Sequence, residues 1–397
     1  MNILFYLWRY PAYGGIEKVT TILANYFAER LEWNVSIVSH YGEYEDDLLP
    51  ELSSRVNLSI MPHGKNPEDP DNTIFLQQVM ALSRSDVLIF QDCYFNAVPL
   101  FQINKDIPII AVEHNTPDCY LKALSFEHHT HPINNLHDFV VFKMLYPYRW
   151  AKLYLKTKRR HRLIYRISDA YVMLSSRFFG TFKRIAMMYN TPKLNAIYNP
   201  LTVQTELVNL DIKEKICVFV SRLVSEKGIG NLLKIWQLVE QADKEWKLVI
   251  VGDGPERITL EDFISKHRLL RVNLVGYQKD VKPWLRRASI YLMASVFEGW
   301  GLTLVEAMSM GCIPMAFDSY ASVYDIIDNG SNGYLIKPFN TKKYAQKLLE
   351  LFKNSDLRQV MAIAAQKKSQ EFNIENICTQ WVQHIEKVIQ NHKTIDR

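Results

Sequence analysis

The sequence predicts an α/β protein built from two doubly wound parallel sheets, and three observations predict it. Short, almost wholly apolar runs recur along the chain, each followed by a loop or by helical apolar spacing, as strands buried on both faces are. The scheme occurs twice, once in each half. The length, 397 residues, exceeds what one ordinary core fills and suits two domains.

The elements follow in order. Ile3–Leu7 reads as a first strand, then a glycine loop, then a helix across Glu17–Arg30. Val35–Ser39, Val56–Met61, Val87–Phe90, Ile107–Glu113 and Ala170–Leu174 read as strands. Asn195–Tyr198 reads as one more, closed by Asn199-Pro200, and a linker is expected near Asn199–Asp211. The second half repeats the pattern with Ile216–Val220, Leu248–Val251, Val272–Val275, Ile290–Met293 and Ile313–Ala316. Ile374–Ile389 reads as a helix after a break near Phe372-Asn373. A ligand of such a fold is expected at the carboxyl ends of the strands, in the cleft between domains.

Composition excludes several classes. The chain is 48% hydrophobic and 22% charged, as ordinary globular proteins are. No apolar run reaches the roughly 20 residues of a membrane span. Met1–Arg9 lacks a basic leader and a cleavage site and reads as a strand. Cys93, Cys119, Cys217, Cys312 and Cys378 show no zinc or disulfide spacing, so a reducing cytoplasm is the expected compartment. The net charge of +5 is unevenly spread. Between Asp138 and Asp169 there is no acid, while Lys143, Arg149, Lys152, Lys156, Lys158, Arg159, Arg160, Arg162 and Arg166 interleave with Tyr146, Tyr148, Trp150, Tyr154 and Tyr165. A basic, aromatic helix over 143–166 suits an anionic membrane surface or an anionic acceptor first, and a solvated face after that. No nucleic-acid motif accompanies it, so nucleic acid is not expected as a partner.

The most informative stretch runs from Phe297 to Met308 and closes with Gly311-Cys312-Ile313-Pro314. Strand, glycine loop and helix in succession aim backbone N–H groups and a positive helix end at a phosphate. Gly299 and Gly301 are expected to keep Glu298 in the loop and Glu306 in the first helical turn. The acids are then too differently placed to face one reacting atom as hydrolase carboxylates do. They suit different hydroxyls of one elongated ligand, with the diphosphate of a sugar nucleotide between them. Thr303-Leu304-Val305-Glu306 also fits a capping box, and both readings stand at this point.

Glu298, Glu306 and the residues around them, F-E-G-x-G-L-x-x-x-E-A-M-x-x-G-x-x-P, resemble the signature of the retaining, nucleotide-sugar-dependent glycosyltransferases called family 4, which have the two-domain GT-B fold. The resemblance covers nearly the whole chain. Phe219 to Gly228, with Arg222 and Lys227, resembles the family's basic phosphate loop; Leu248 to Pro255, with Gly252, resembles its next strand and turn. Leu274-Val275-Gly276-Tyr277 is similar to its base-binding turn, and Gly14-Gly15-Ile16-Glu17-Lys18-Val19 to its first glycine loop. The resemblance implies an acceptor-side domain over 1–200, completed by a C-terminal helix within 374–397, and a nucleotide-sugar domain over 201–373. It implies net retention, transfer of a hexose from a nucleotide-diphosphate sugar with UDP the expected nucleotide, and a saccharide or lipid-linked acceptor in surface-glycan synthesis. The nucleotide sugar is a co-substrate; no cofactor is expected.

By the same resemblance Glu306 binds the donor ribose, Glu298 contacts the transferred sugar, and Gly301, Leu302, Thr303 and Leu304 form the helix end beneath the diphosphate. Arg222 and Lys227 stabilise the charge that grows on the leaving group. His114, at the end of the strand before Asn115, resembles the family's active-site histidine, while strand alternation turns Glu113 to the opposite face. Asp69-Pro70-Asp71 spells the acid-x-acid triplet of metal-dependent transferases but sits in a polar, proline-rich segment, so it reads as a solvated loop and no metal is expected. An epimerase or hydrolase of the same fold, or a non-catalytic binding subunit, is the alternative. Such an enzyme is expected in the cytoplasm, either free or peripheral at the inner face of the plasma membrane, where it would reach a lipid-linked acceptor.

Overall fold

The computed structural model describes residues 1–12, 14–42, 52–91, 100, 102–103, 106–131, 133–203 and 210–395. Cys93 and residues 204–209 of the expected linker lie outside these residues. The chain divides into two compact units, the first comprising Met1–Leu121, Met144–Thr202 and Ile374–Arg397, the second Lys122–Lys143 and Val203–Asn373. The sequence expectation differs here in placing all of 1–200 in one domain. Within 122–143 only Leu124 is buried among the described residues, so this excursion contributes little to the first core.

The first unit holds β1 (Asn2–Arg9), β2 (Asn34–Tyr41), β3 (Val56–Ile60), β4 (Val87–Phe90), β5 (Ile109–Glu113), β6 (Ala170–Met173) and β7 (Leu194–Ala196), in the order β3-β2-β1-β4-β5-β6-β7. All pairs are parallel. Ile3 to Leu7 are buried throughout, which is why the strand reads as an unbroken apolar run. β5 starts at Ile109 rather than Ile107 because Pro108 has no N–H for the ladder; its carbonyl still accepts from Leu88 N at 3.0 Å.

Several helices flank this sheet, and two of them are 22 residues long. Tyr146–Ile167 buries Thr157, His161, Ile164 and Tyr165. Ile374–Ile395 buries Ile377, Cys378, Trp381, Ile385 and Val388, an apolar stripe of helical period. The His392 imidazole reaches Asp169 at 3.4 Å, and the other Asp169 oxygen accepts from Ile109 N at 2.9 Å, tying the C-terminal helix to the start of β5.

The second unit holds β8 (Glu214–Val220), β9 (Lys247–Val251), β10 (Val272–Gly276), β11 (Ala288–Met293), β12 (Ile313–Phe317) and β13 (Tyr334–Ile336), in the order β10-β9-β8-β11-β12-β13, all parallel. The core packs Phe219, Trp236, Trp246, Phe317 and Tyr344 around aliphatic strand residues. Trp246 stacks on Phe352 with centroids 4.0 Å apart. In both sheets the order reverses direction once, between β1 and β4 and between β8 and β11, and ligands of open α/β sheets bind beyond such switch points.

Candidate active site

In the second unit the loops after β8 (221–228) and β11 (294–301) flank the switch point. They are held together closely. Gly228 has φ of 71°, and a Cβ there would overlap the carbonyl oxygen of Ala294. Val296 N donates to Glu226 O at 2.8 Å. Across the same gap the Lys227 ammonium donates to Glu298 Oε1 at 2.6 Å, and Ser295 Oγ donates to that oxygen at 2.8 Å. Lys227 and Glu298 are both mostly buried, so this ion pair is poorly screened.

Arg222 differs from Lys227. Its side chain is exposed and has no hydrogen-bond or ion-pair partner among the described residues. The loop thus presents one uncompensated cation beside one held by a carboxylate.

Gly301 caps the helix Leu302–Ser309 with φ of 87°, a left-handed conformation that favours glycine. Its carbonyl accepts from Leu304 N at 3.0 Å and Val305 N at 3.3 Å. The capping box is therefore absent: Thr303 lies inside the helix, and its hydroxyl meets Tyr291 OH at 2.6 Å. Glu306 falls at the fifth helical position rather than in the first turn, 2% exposed. The Leu302 and Thr303 amides donate to no protein acceptor among the described residues, while the Leu304 amide is spent on Gly301 and its side chain is core. The free donors at this helix start are thus Leu302 and Thr303.

The neighbouring turns share this close packing. Gly252, with φ of 138°, leaves no room for a Cβ beside Ser221 O, and its N–H donates to Gly276 O at 2.8 Å. Tyr277, just beyond β10, is exposed. Three residues that the sequence reading missed pin the acidic loop from the β12 side: Ser319 Oγ donates to Ser295 O, and Ser322 Oγ to Gly299 O, each at 2.7 Å, while Tyr320 OH lies against Gly301 and donates to Met293 Sδ at 3.0 Å. Their signal was positional: they follow the next strand end in the sheet order.

In the first unit Gly14 precedes, and Gly15 begins, the helix Gly15–Glu29 after β1; Arg9 bridges to Glu17 at 3.3 Å. His114 follows β5, and its Nε2 lies 2.6 Å from Oε1 of Gln91, the residue that follows β4. Burial lowers the His114 pKa to about 3, so the ring is neutral. Glu113 is fully buried in a separate cluster, accepting from Tyr171 OH at 3.0 Å with the Arg160 guanidinium at 3.6 Å. Arg160 stacks over Tyr120 at 5.2 Å and is no part of an exposed basic face.

Asp69 is not in a loop tip but caps the helix Pro70–Leu82, accepting from Asp71 N at 3.1 Å. His63, Asp69 and Asp71 converge so that one ligand atom from each lies within 4.8 Å of the others, mainly at the surface.

Comparisons with known proteins agree on architecture and on the second unit. Residues 205–368 match the model of the family described as glycosyl transferases group 1. An uncharacterized glycosyltransferase of Haemophilus influenzae is 23% identical over 384 residues, 96% of this chain and 98% of that protein. The poly(glycerol-phosphate) alpha-glucosyltransferase of Bacillus subtilis is 26% identical over 227 residues, 56% of this chain and only 33% of its own length. The crystal structure of a TarM mutant from S. aureus, in complex with fondaparinux, alpha-GlcNAc-glycerol and UDP, superposes with a TM-score of 0.75 at 15% identity, covering 97% of this chain and 100% of that one. The fold is that of the GT-B glycosyltransferases, and its second unit carries the match to the group 1 family.

Proposed function

We propose that the chain is a retaining, metal-independent glycosyltransferase that moves a hexose from a UDP-sugar to a saccharide or lipid-linked acceptor in surface-glycan synthesis. The observation that carries this reading is the group of charges at the second switch point: a free Arg222, Lys227 held by Glu298, and two unspent amides at Leu302 and Thr303. Such a set fits a diphosphate.

The roles follow from charge. As the glycosidic bond breaks, negative charge grows on the diphosphate oxygen that leaves. Arg222 and Lys227 stabilise that charge more than the ground state, which is what lowers a barrier. A diphosphate that takes Lys227 frees the Glu298 carboxylate to accept from hydroxyls of the transferred sugar. Glu306 is the ribose acceptor, reached by a ligand lying along the helix start. Tyr277 flanks the base, and Gly14 and Gly15 give the first loop room to approach the ligand. His114 orients the sugar as a neutral ring. Retention fits front-face attack in which the leaving phosphate takes the acceptor's proton. UDP as the nucleotide is supported by its presence in the similar TarM structure, and the glycan role by the poly(glycerol-phosphate) alpha-glucosyltransferase activity named for the Bacillus relative.

No helix among the described residues is long and apolar enough to cross a membrane. We place the enzyme in the cytoplasm, peripheral at an anionic bilayer through the exposed face of the helix Tyr146–Ile167.

The test is a panel of nucleotide-diphosphate sugars read by melting temperature in chelator-treated protein. A ligand that binds only the folded state raises stability with concentration. A UDP-sugar should raise the melting point in the presence of chelator, and its sugar should then appear on an added acceptor with the anomeric configuration kept. If none of the panel stabilises the protein, or if donor is consumed equally with and without acceptor, the reading fails.

A further inference from the structure

Gln91 and His114 are the first residues beyond two adjacent strands, β4 and β5. The Gln91 backbone N–H donates to Tyr6 O at 3.0 Å, which fixes the residue beside the switch point between β1 and β4. Its side chain is fully buried, with Oε1 2.6 Å from His114 Nε2. An amide oxygen only accepts, so the ring must donate: the proton sits on Nε2 and the lone pair on Nδ1. Both remaining polar atoms of the pair, His114 Nδ1 and Gln91 Nε2, are closed off from solvent and have no partner among the described residues. A buried polar group without a partner costs about 1–3 kcal/mol, so two in one hydrogen-bonded pair at a strand end call for a partner from elsewhere.

We infer that Gln91 is a positioning residue: it holds His114 in the Nε2-protonated tautomer and leaves Nδ1 as an acceptor for a substrate hydroxyl. The ring is neutral, so its tautomer rather than its charge decides what it can recognise. An Nδ1 lone pair accepts from a hydroxyl; an Nδ1–H would instead have to donate. That the hydroxyl belongs to a sugar rests on the function proposed above; the tautomer does not.

The experiment is long-range nitrogen–proton NMR on the whole chain labelled with ¹⁵N-histidine, with the His114 signals identified by their loss in His114→Gln. The wild type should show His114 protonated on Nε2 and unprotonated on Nδ1. Gln91→Met, which keeps the length and removes the acceptor, should release the ring into a mixture of tautomers. Gln91→Glu, which restores an acceptor oxygen, should return it to Nε2–H. With the UDP-sugar that stabilises the protein, Gln91→Met should lower kcat on the order of tenfold to a hundredfold while donor KM changes little, as expected of a misplaced orienting group. A wild-type ring protonated on Nδ1, the result of a reversed amide, overturns the inference. So does an unchanged tautomer in Gln91→Met. Should that variant not fold, the wild-type spectrum alone decides. A tautomer shift with no turnover of any nucleotide sugar by the wild type would uphold the inference and reject the proposed function.

Discussion

Arg222 and Lys227 are both cations in one loop, yet their removal should not cost the same. Arg222→Ala takes away a charge that had no partner among the described residues and should lower kcat/KM by on the order of a hundredfold. Lys227→Ala does this and also leaves the Glu298 carboxylate without its cation, where the proposed donor diphosphate would bind. Its loss should therefore exceed that of Arg222→Ala, and the double variant Lys227→Ala/Glu298→Gln should recover part of the donor affinity. Steady-state kinetics of the three purified variants check this; equal losses for the two single variants, with no recovery in the double, would show that the ion pair plays no part in donor binding. The pair could not be read from the sequence, because its members are 71 positions apart and only the sheet order makes them neighbours. Gln91 left still less to read, being a lone amide just past a strand.

Among the elements, the loop after β8 is the most constrained. Gly228→Ala would hold a side chain in left-handed backbone, costing about 1–2 kcal/mol, and would press it into Ala294 O. The second unit should melt several degrees lower, at roughly 2–4 °C per kcal/mol, whereas Gly230→Ala, in open space, should not lower it. Calorimetry of both variants distinguishes them. The helix Tyr146–Ile167 gives a second prediction. Tyr148, Lys152, Leu155, Lys156, Arg159, Leu163 and Arg166 are exposed at spacings that put them on one face. The protein should bind anionic vesicles in a salt-sensitive way, at about 1 kcal/mol per cation. Reversing Lys152, Lys156 and Arg159 to Glu should abolish binding and leave donor affinity intact. Arg160→Glu should instead unfold the first unit, since it sets a second acid against buried Glu113. If the native chain ignores anionic vesicles at low salt, the face is only solvated. The strands were legible because parallel strands buried on both sides are unbroken apolar runs. β13 was not, since three residues beginning at Tyr334 carry no period. The capping box stayed open as one of two readings because Thr303-x-x-Glu306 is a local pattern; the helix start is set instead by left-handed backbone at Gly301, with Thr303 bonded to Tyr291.

At the scale of the whole molecule, acid should act on one unit first. His40, His114, His161 and His384 all belong to the first unit, and burial lowers their pKa values to about 4, 3, 3 and 4. Each binds fewer protons folded than unfolded between those values and the ordinary 6.5. Stability from this source is thus complete above about pH 6.5 and declines as the pH falls toward 4, by at most about 1.4 kcal/mol per pH unit for each histidine. Calorimetry from pH 7.5 to 5 should show the first unit's transition moving steeply down while the second's moves less. Parallel shifts of the two would mean these rings are solvated in the folded chain.

The helix Ile374–Ile395 belongs to the unit whose last strand, β7, is made long before it. On a ribosome adding about 5–20 residues per second, the stretch from Thr202 to Ile374 takes roughly 10–30 s. Only at the end of that interval is the chain of the second unit complete and able to close on itself, while the half that emerged first still lacks Ile377, Trp381 and Ile385. Biosynthesis thus finishes the two halves in the reverse of the order in which it starts them. The nascent N-terminal half shows bare apolar surface to chaperones and proteases until the helix Ile374–Ile395 has been made. A stop codon at position 374 would leave that surface bare for good.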